Sequence, residues 1–399
     1  MERTQENQTA TPLELFFDLV FVFALTQITA FMAHSPTRLG ITQGLLVLAL
    51  LWWAWVGYAW LCNLVRADEG EVRIVLLVAM TAMFFVALTI PEAFHDAPGG
   101  LSGPVVVAVC YVAFRLTHLA LFAIYARGDA VLVRQLFKWG PTVAIGAALL
   151  VTAAFVHDQY LQTSLWGAVV AIEYGGTFLA GASGWRLRSA GHFAERHGLM
   201  VIVALGESIV AIGVGAAELP ISWPVIAAGV GGMAVAAALW WMYFDVTATA
   251  AEHALGAAPQ DGTQAAMARD AYSFAHLPMM TGIVLLALGL KKLLSAVGDP
   301  DAHHLAEPLK PVALGALFGG VLLYTLGHVA FKRRTVGTLS RPRLLLVAAL
   351  VLAWLAVMPL PALAQVAVLA VLGWALVGYE TLHYREQRRQ IRHAGHHHN

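Results

Sequence analysis

The sequence predicts an all-α membrane protein of about twelve transmembrane helices, arranged as two parallel six-helix repeats. Three observations carry this expectation. Of 399 residues, 59% are hydrophobic and only 12% charged, with a mean hydropathy of +0.71; a soluble domain carries about 25% charged residues. Apolar runs recur along the whole chain, each near the roughly 20 residues that cross a bilayer as a helix. The basic residues, finally, fall on alternate connections. Without a period-2 alternation of polar and apolar residues, helices rather than a barrel must satisfy the backbone in lipid.

Taken in order, the runs are 12–33, 41–64, 73–92, 104–126, 139–156, 164–184, 197–217, 223–246, 271–290, 311–331, 343–359 and 361–383. The first opens with acids after a polar start, so it reads as a spanning helix rather than a cleavable signal. The last two are parted only by Met358-Pro-Leu-Pro361. The longest connections are 247–270, rich in Ala, and 291–310, with Asp299, Pro300, His303 and His304. With the N-terminus in the cytoplasm, nineteen of the 24 Lys and Arg lie on inner connections. Arg38, Lys291, Lys292 and Lys310 lie outside, and Arg115 lies inside a span. This positive-inside bias predicts a bacterial cytoplasmic-membrane protein with both termini inside.

Short echoes recur in the same order. Ala24-Leu-Thr-Gln27 returns as Ala204-Leu-Gly-Glu207, and Leu51-Trp-Trp-Ala-Trp55 as Leu239-Trp-Trp-Met-Tyr243. Met80-Thr-Ala-Met returns as Met280-Thr-Gly-Ile, and Leu116-Thr-His118 as Leu326-Gly-His328. The offsets rise from 180 through 188 and 200 to 210, as small loop insertions would make them. Six helices return the chain to its starting side, so the halves are expected to be parallel repeats. The expected division is 1–190, 191–384 and a basic, His-rich tail at 385–399, where His393 and His396 to His398 follow no ligand spacing.

Ionisable residues inside spans are costly and mark the places to search. Glu14 and Asp18 stand one turn apart on the first helix. Glu14 is explicable as an acid at a helix N-terminus. Asp18 lies a full turn inside, where backbone amides are already paired, and therefore needs a cation such as Arg196 or His197, a metal, or a proton. Glu195, Arg196 and His197 open the seventh span on the same side, and His276 sits in the inner third of the ninth. Arg115, Glu173 and Glu207 form a midplane layer, with His118 one turn from Arg115. An unpaired Arg115 there would cost at least about 2.5–3.5 kcal/mol, so a pair with Glu173 or Glu207 is expected. Such a pair is either an inert bridge or part of a proton or substrate site. Among the tryptophans, Trp60 reads as an interfacial anchor, and Trp52, Trp53, Trp240 and Trp241 as packing residues. Cys62 and Cys110 read as small packing residues.

Two stretches resemble one known family. Glu14-Leu-Phe-Phe-Asp18-Leu-Val-Phe-Val-Phe-Ala-Leu-Thr-Gln27 and Glu195-Arg-His-Gly-Leu-Met-Val-Ile-Val-Ala-Leu-Gly-Glu207-Ser are similar to the bacterial low temperature requirement A family. Tyr272-x-x-x-His276-x-Pro278 agrees with it, and the resemblance covers residues 11 to about 385. It implies a bacterial integral membrane protein, and it directs attention to Glu14, Asp18, Glu195, Arg196, Glu207 and His276. It does not supply an activity.

Net charge is zero, so charge points to no nucleic acid; the expected partners are the lipid bilayer and a small solute or protons, with no cofactor. No phosphate-binding loop, dinucleotide fingerprint, HExxH or GxSxG is present, so no metal site is expected. The best reading is a proton-coupled secondary transporter. The alternatives are an enzyme acting on a lipid or quinone-like substrate through Asp18, Glu195, His197 and His276, and a non-catalytic stress or assembly protein.

Overall fold

The computed structural model describes residues 9–68, 70–182, 184–217, 219–298 and 305–386. Asp299, Pro300, His303, His304 and the His-rich end of the tail lie outside the described residues. Among the described residues fourteen α-helices run in order: α1 (Pro12–His34), α2 (Arg38–Leu64), α3 (Gly70–Leu88), α4 (Gly103–Tyr125), α5 (Ala130–Ala154), α6 (Gln159–Ala180) and α7 (Ala190–Ala217). They continue with α8 (Trp223–Phe244), α9 (Thr247–Ala257), α10 (Thr263–Met267), α11 (His276–Gly298), α12 (Pro311–Thr335), α13 (Arg341–Val357) and α14 (Ala362–His383). No strand occurs among the described residues. All twelve apolar runs fold as long helices; α9 and α10 are the extra, short ones.

Among the described residues, ten helical stretches are long and apolar enough to cross a membrane. The two long helices outside that set have local reasons. α13 has 17 residues, and α6 carries Gln159, Gln162, Thr163, Ser164 and Glu173. Helix boundaries follow from capping chemistry. Thr11 caps α1 in a reciprocal capping box with Glu14, with Pro12 in the first turn, so two free N–H groups are satisfied at once. Thr37, Asp129 and Asp158 cap α2, α5 and α6. Pro359 and Pro361 hold α13 and α14 apart as separate helices, because neither offers an amide to continue the ladder.

The connection at 247–270 departs from the loop expected of it. Most of it is helical: α9, α10, and a π-helical turn at Ala268–Phe274 leading into α11. Alanine-rich sequence favours helix, and Thr247, Ala251 and Leu255 recur every four residues and bury one face of α9. The 291–310 connection is likewise shorter than expected, because α11 runs on to Gly298.

The chain divides into two compact units. The first comprises Met1–Arg196 with Ala258–Arg269, and the second His197–Ala257 with Asp270–Asn399. Within the first, α3 packs on α1 and α4, α5 on α4 and α6, and α2 on α1, α4 and α6. α2 is its core helix, buried from Val47 to Val56 and again from Tyr58 to Leu64. Within the second, α11 packs most closely on α12, α13 on α12 and α14, and α8 on α11, α12 and α14.

α11 and α12 cross backbone to backbone at Gly282 and Gly320. A Cβ on Gly282 would lie 2.5 Å from the Gly320 carbonyl oxygen, and one on Gly320 would lie 2.6 Å from that of Gly282. Small residues permit such contact in membrane proteins. Gly282→Val is therefore expected to cost about 1–3 kcal/mol, measured as a lower denaturant midpoint in detergent. An unchanged midpoint would mean the two helices separate freely.

Candidate functional site

The polarity of α1 is inverted relative to a soluble amphipathic helix. Its acids Glu14 and Asp18 are each 2% exposed, whereas Phe16 and Leu19 are 54% and 57% exposed. Hydrocarbon faces outward and charge faces inward, as a lipid environment requires.

What the acids face is a closed cluster in the first unit, built by α1, α2 and the start of α7. One Arg196 nitrogen, Nη1, donates to Glu14 Oε1 at 2.8 Å; the other, Nη2, donates to Asp18 Oδ1 at 2.6 Å. Trp55 Nε1 donates to the same Asp18 Oδ1 at 2.8 Å, and the Arg196 guanidinium lies 5.7 Å from the centre of the Trp55 ring. Glu14 Oε2 accepts the backbone amide of Thr11 at 2.8 Å. Asp18 Oδ2 and Arg196 Nε are buried and make no hydrogen bond. Glu195, one residue before the arginine, accepts the Ala10 amide at 2.8 Å and so ties down the chain entering α1.

His192 completes the cluster, one helical turn before Arg196. Its Nε2 lies 3.0 and 3.1 Å from the two Glu14 oxygens, and carboxylates only accept, so Nε2 carries hydrogen. Its Nδ1 faces Asn63 Nδ2 at 3.4 Å. The Asn63 amide is oriented independently: its oxygen accepts from the Arg188 amide at 2.8 Å, and its nitrogen donates to the Ser189 carbonyl at 2.7 Å. Asn63 therefore presents a donor to Nδ1, an arrangement that suits the Nε2–H tautomer of His192.

A second ion set lies near the middle of α4 and α6. Arg115 Nη2 stands 3.2 Å from Glu173 Oε2, with both side chains buried, and Tyr111 donates to Glu173 at 3.4 Å. His118, one turn along, places Nε2 3.1 Å from the Gly57 carbonyl, which makes that nitrogen the donor. One cation meets one anion, so this set is charge-balanced. Glu207 is also buried, at 2% exposure, and belongs to the second unit with His197 and His276.

In the second unit, His276 Nδ1 lies 3.0 Å from the Ala271 carbonyl in the π-helical turn. Its Nε2 lies 2.9 Å from Tyr243 Oη. The carbonyl fixes hydrogen on Nδ1, so Nε2 accepts from the tyrosine. The His197 ring meets those of Tyr272 and His276 at 5.3 Å. Arg343 forms a fork with Glu380 at 2.9 and 3.0 Å, donates to the Met242 carbonyl at 3.1 Å, and also meets His328. Arg343 and Glu380 wall a cavity of about 360 Å³ that Trp241, Asp245 and Lys332 also line.

Of the ten candidate residues, the structure gathers Glu14, Asp18 and Arg196 into one cluster with Glu195 at its rim, and Arg115 and Glu173 into another beside His118. It places His197 and His276 in mutual ring contact. Sequence reasoning missed His192, Asn63 and Arg343. The signal for His192 was its i, i+4 spacing to Arg196; for Asn63 it was a lone amide at the end of an apolar helix. Trp60 departs from the interfacial anchor expected of it: it is buried against Trp185 and Phe193, at 5.1 and 4.9 Å.

A chain of long helices with hydrocarbon outside and ions inside, many of them apolar enough to span a bilayer, is a multi-pass membrane protein. Residues 9–378 match the family described as bacterial low temperature requirement A protein, and the chain belongs to that family. It is 30% identical to the uncharacterized protein RA0937 of Rhizobium meliloti (strain 1021) over 354 residues, 83% of this chain and 79% of that protein.

Proposed function

We propose that the protein is a proton-coupled secondary transporter of a small solute in the bacterial cytoplasmic membrane, with both termini inside. The observation that carries this reading is the charge count of the α1–α7 cluster. Glu14 and Asp18 oppose a single guanidinium, and His192 is neutral. The cluster is one negative charge over unless it holds a proton, and an uncompensated buried charge costs several kcal/mol. The one oxygen with no hydrogen bond, Asp18 Oδ2, is where that proton sits. A buried, exchangeable proton beside an obligate cation is the part a proton-driven carrier needs.

The helix neighbours support the reading of two parallel repeats. The pairs α3–α4, α4–α5, α5–α6, α2–α6 and α2–α4 recur as α11–α12, α12–α13, α13–α14, α8–α14 and α8–α12. The sequence echoes assign the first four spans of each half and chain order the last two, and transporters built from such repeats bind near the interface between them. The enzyme alternative draws less support, because Asp18 already answers Arg196 and Glu195 holds a backbone amide.

The test is proton flux into dye-loaded proteoliposomes under an imposed pH gradient, with a panel of small solutes. At least one solute is expected to accelerate the flux in the wild type and not in Asp18→Asn, which balances the cluster without a proton. A wild type no faster than empty vesicles, or an unaltered Asp18→Asn, would sink the proposal.

A further inference from the structure

We infer that the first unit carries a binding site for a phosphate-bearing anion, in a cleft at the helix ends lined by none of the residues of the two ion clusters. The cleft has a volume of about 620 Å³. It is lined by three separate stretches of chain: the α4–α5 turn, the α6–α7 connection, and the segment 260–265, which joins this unit from far along the sequence.

Its walls bring together Arg127, Arg186 and Arg188. Among the described lining residues the only acid is Asp129; Asp261, in the same 260–265 segment, does not line the cleft. The Asp129 carboxylate is largely occupied. One oxygen, Oδ1, caps α5 by accepting the amides of Val131 and Leu132 at 2.9 and 3.3 Å. The other stands 3.7 Å from Arg186, too far for a hydrogen bond. The cleft is thus about two positive charges over.

One arginine is positioned in advance. Arg188 Nε and Nη2 both donate to Tyr125 Oη, at 3.2 and 3.0 Å, and its backbone amide is fastened to Asn63. That leaves Nη1 for a ligand, while Arg127 and Arg186 are exposed at the mouth. A preformed guanidinium flanked by two exposed ones suits a tetrahedral oxyanion, which guanidinium groups bind in forks.

Two features point to chemistry beyond a free ion. Leu64, Leu132, Leu187 and Trp185 give part of the wall an apolar character. The cleft also lies where α2, α4 and α6 end and α5 and α7 begin, the level at which lipid headgroups reside. An anionic phospholipid headgroup and a soluble phosphate share the recognised chemistry; the experiment separates them.

Purified full-length protein in detergent is titrated in three arms, with phosphatidylglycerol, with phosphatidylcholine and with inorganic phosphate. Binding is read by native mass spectrometry and by thermal stabilisation. The same titrations are run on Arg127→Gln/Arg186→Gln, whose exposed positions leave the fold intact. Phosphatidylglycerol is expected to bind and stabilise the wild type, with apparent affinity at least about tenfold weaker in the double variant, the loss of one charge-assisted bond or more. Phosphate stabilisation that is lost in the variant, with no lipid effect, supports the site with a soluble ligand. Neither anion acting on the wild type, equal affinity in wild type and variant, or phosphatidylcholine acting as well as phosphatidylglycerol would overturn the inference.

Discussion

Arg196→Leu is expected to destabilise the folded protein by about 3–5 kcal/mol, the usual cost of leaving a buried ion without its partner. Both nitrogens of the guanidinium that contact acids are lost together, at 2.8 and 2.6 Å. The informative part is rescue. If the proton sits on Asp18, that carboxyl is already neutral, and the charge exposed by losing the arginine belongs to Glu14. Arg196→Leu/Glu14→Gln should then recover most of the loss, because Gln keeps the capping box with Thr11. Arg196→Leu/Asp18→Asn should recover little. Unfolding midpoints of the four proteins in one detergent decide it. Rescue by Asp18→Asn and not by Glu14→Gln would move the proton away from Asp18.

The architecture was legible because lipid imposes simple rules. Length, hydropathy and the distribution of arginines mark helices one at a time, and each of the twelve runs needed no partner to be recognised. The acid cluster was half legible. Asp18 announced a need, since a carboxylate a turn inside an apolar helix has no local answer, and Arg196 was among the cations that its topology allowed. The rest was not legible because it depends on three-dimensional closure. His192 and Asn63 stand 129 residues apart, and the tautomer that assigns the proton rests on an amide whose orientation two backbone groups fix. Trp55 stood out only as part of a repeat echo, yet its indole N–H is the second donor to Asp18. In the 247–270 connection, helical sequence was hidden by the polar residues around it.

On the proposed transport reading, the α1–α7 and α4–α6 ion sets differ in arithmetic, and the difference separates a working cluster from a supporting one. On that reading the α1–α7 cluster has an odd count, and its state depends on one proton. The α4–α6 pair has an even count and is complete as it stands. Around it the chain makes room for the charges: a Cβ on Gly57 would lie 3.2 Å from the His118 ring and 3.5 Å from Arg115 Nη1.

Completeness has a measurable consequence at Arg115 and Glu173. Arg115→Met leaves a buried carboxylate, and Glu173→Gln leaves a buried guanidinium; each is expected to cost about 3–5 kcal/mol. The double variant Arg115→Met/Glu173→Gln leaves neither. Methionine fills much of the space of the arginine stem, and glutamine still accepts from Tyr111, which donates to Glu173 at 3.4 Å. Its stability should return to within about 1 kcal/mol of the wild type or exceed it, as replaced buried pairs often do. The coupling energy of the cycle is then several kcal/mol, far beyond the few tenths expected of independent sites. Proton-coupled flux is the second readout: the double variant should keep it, in contrast to Asp18→Asn. A double variant that is stable but inactive would show that the pair takes part in transport, and the division between a working cluster and a supporting one would fail at that point.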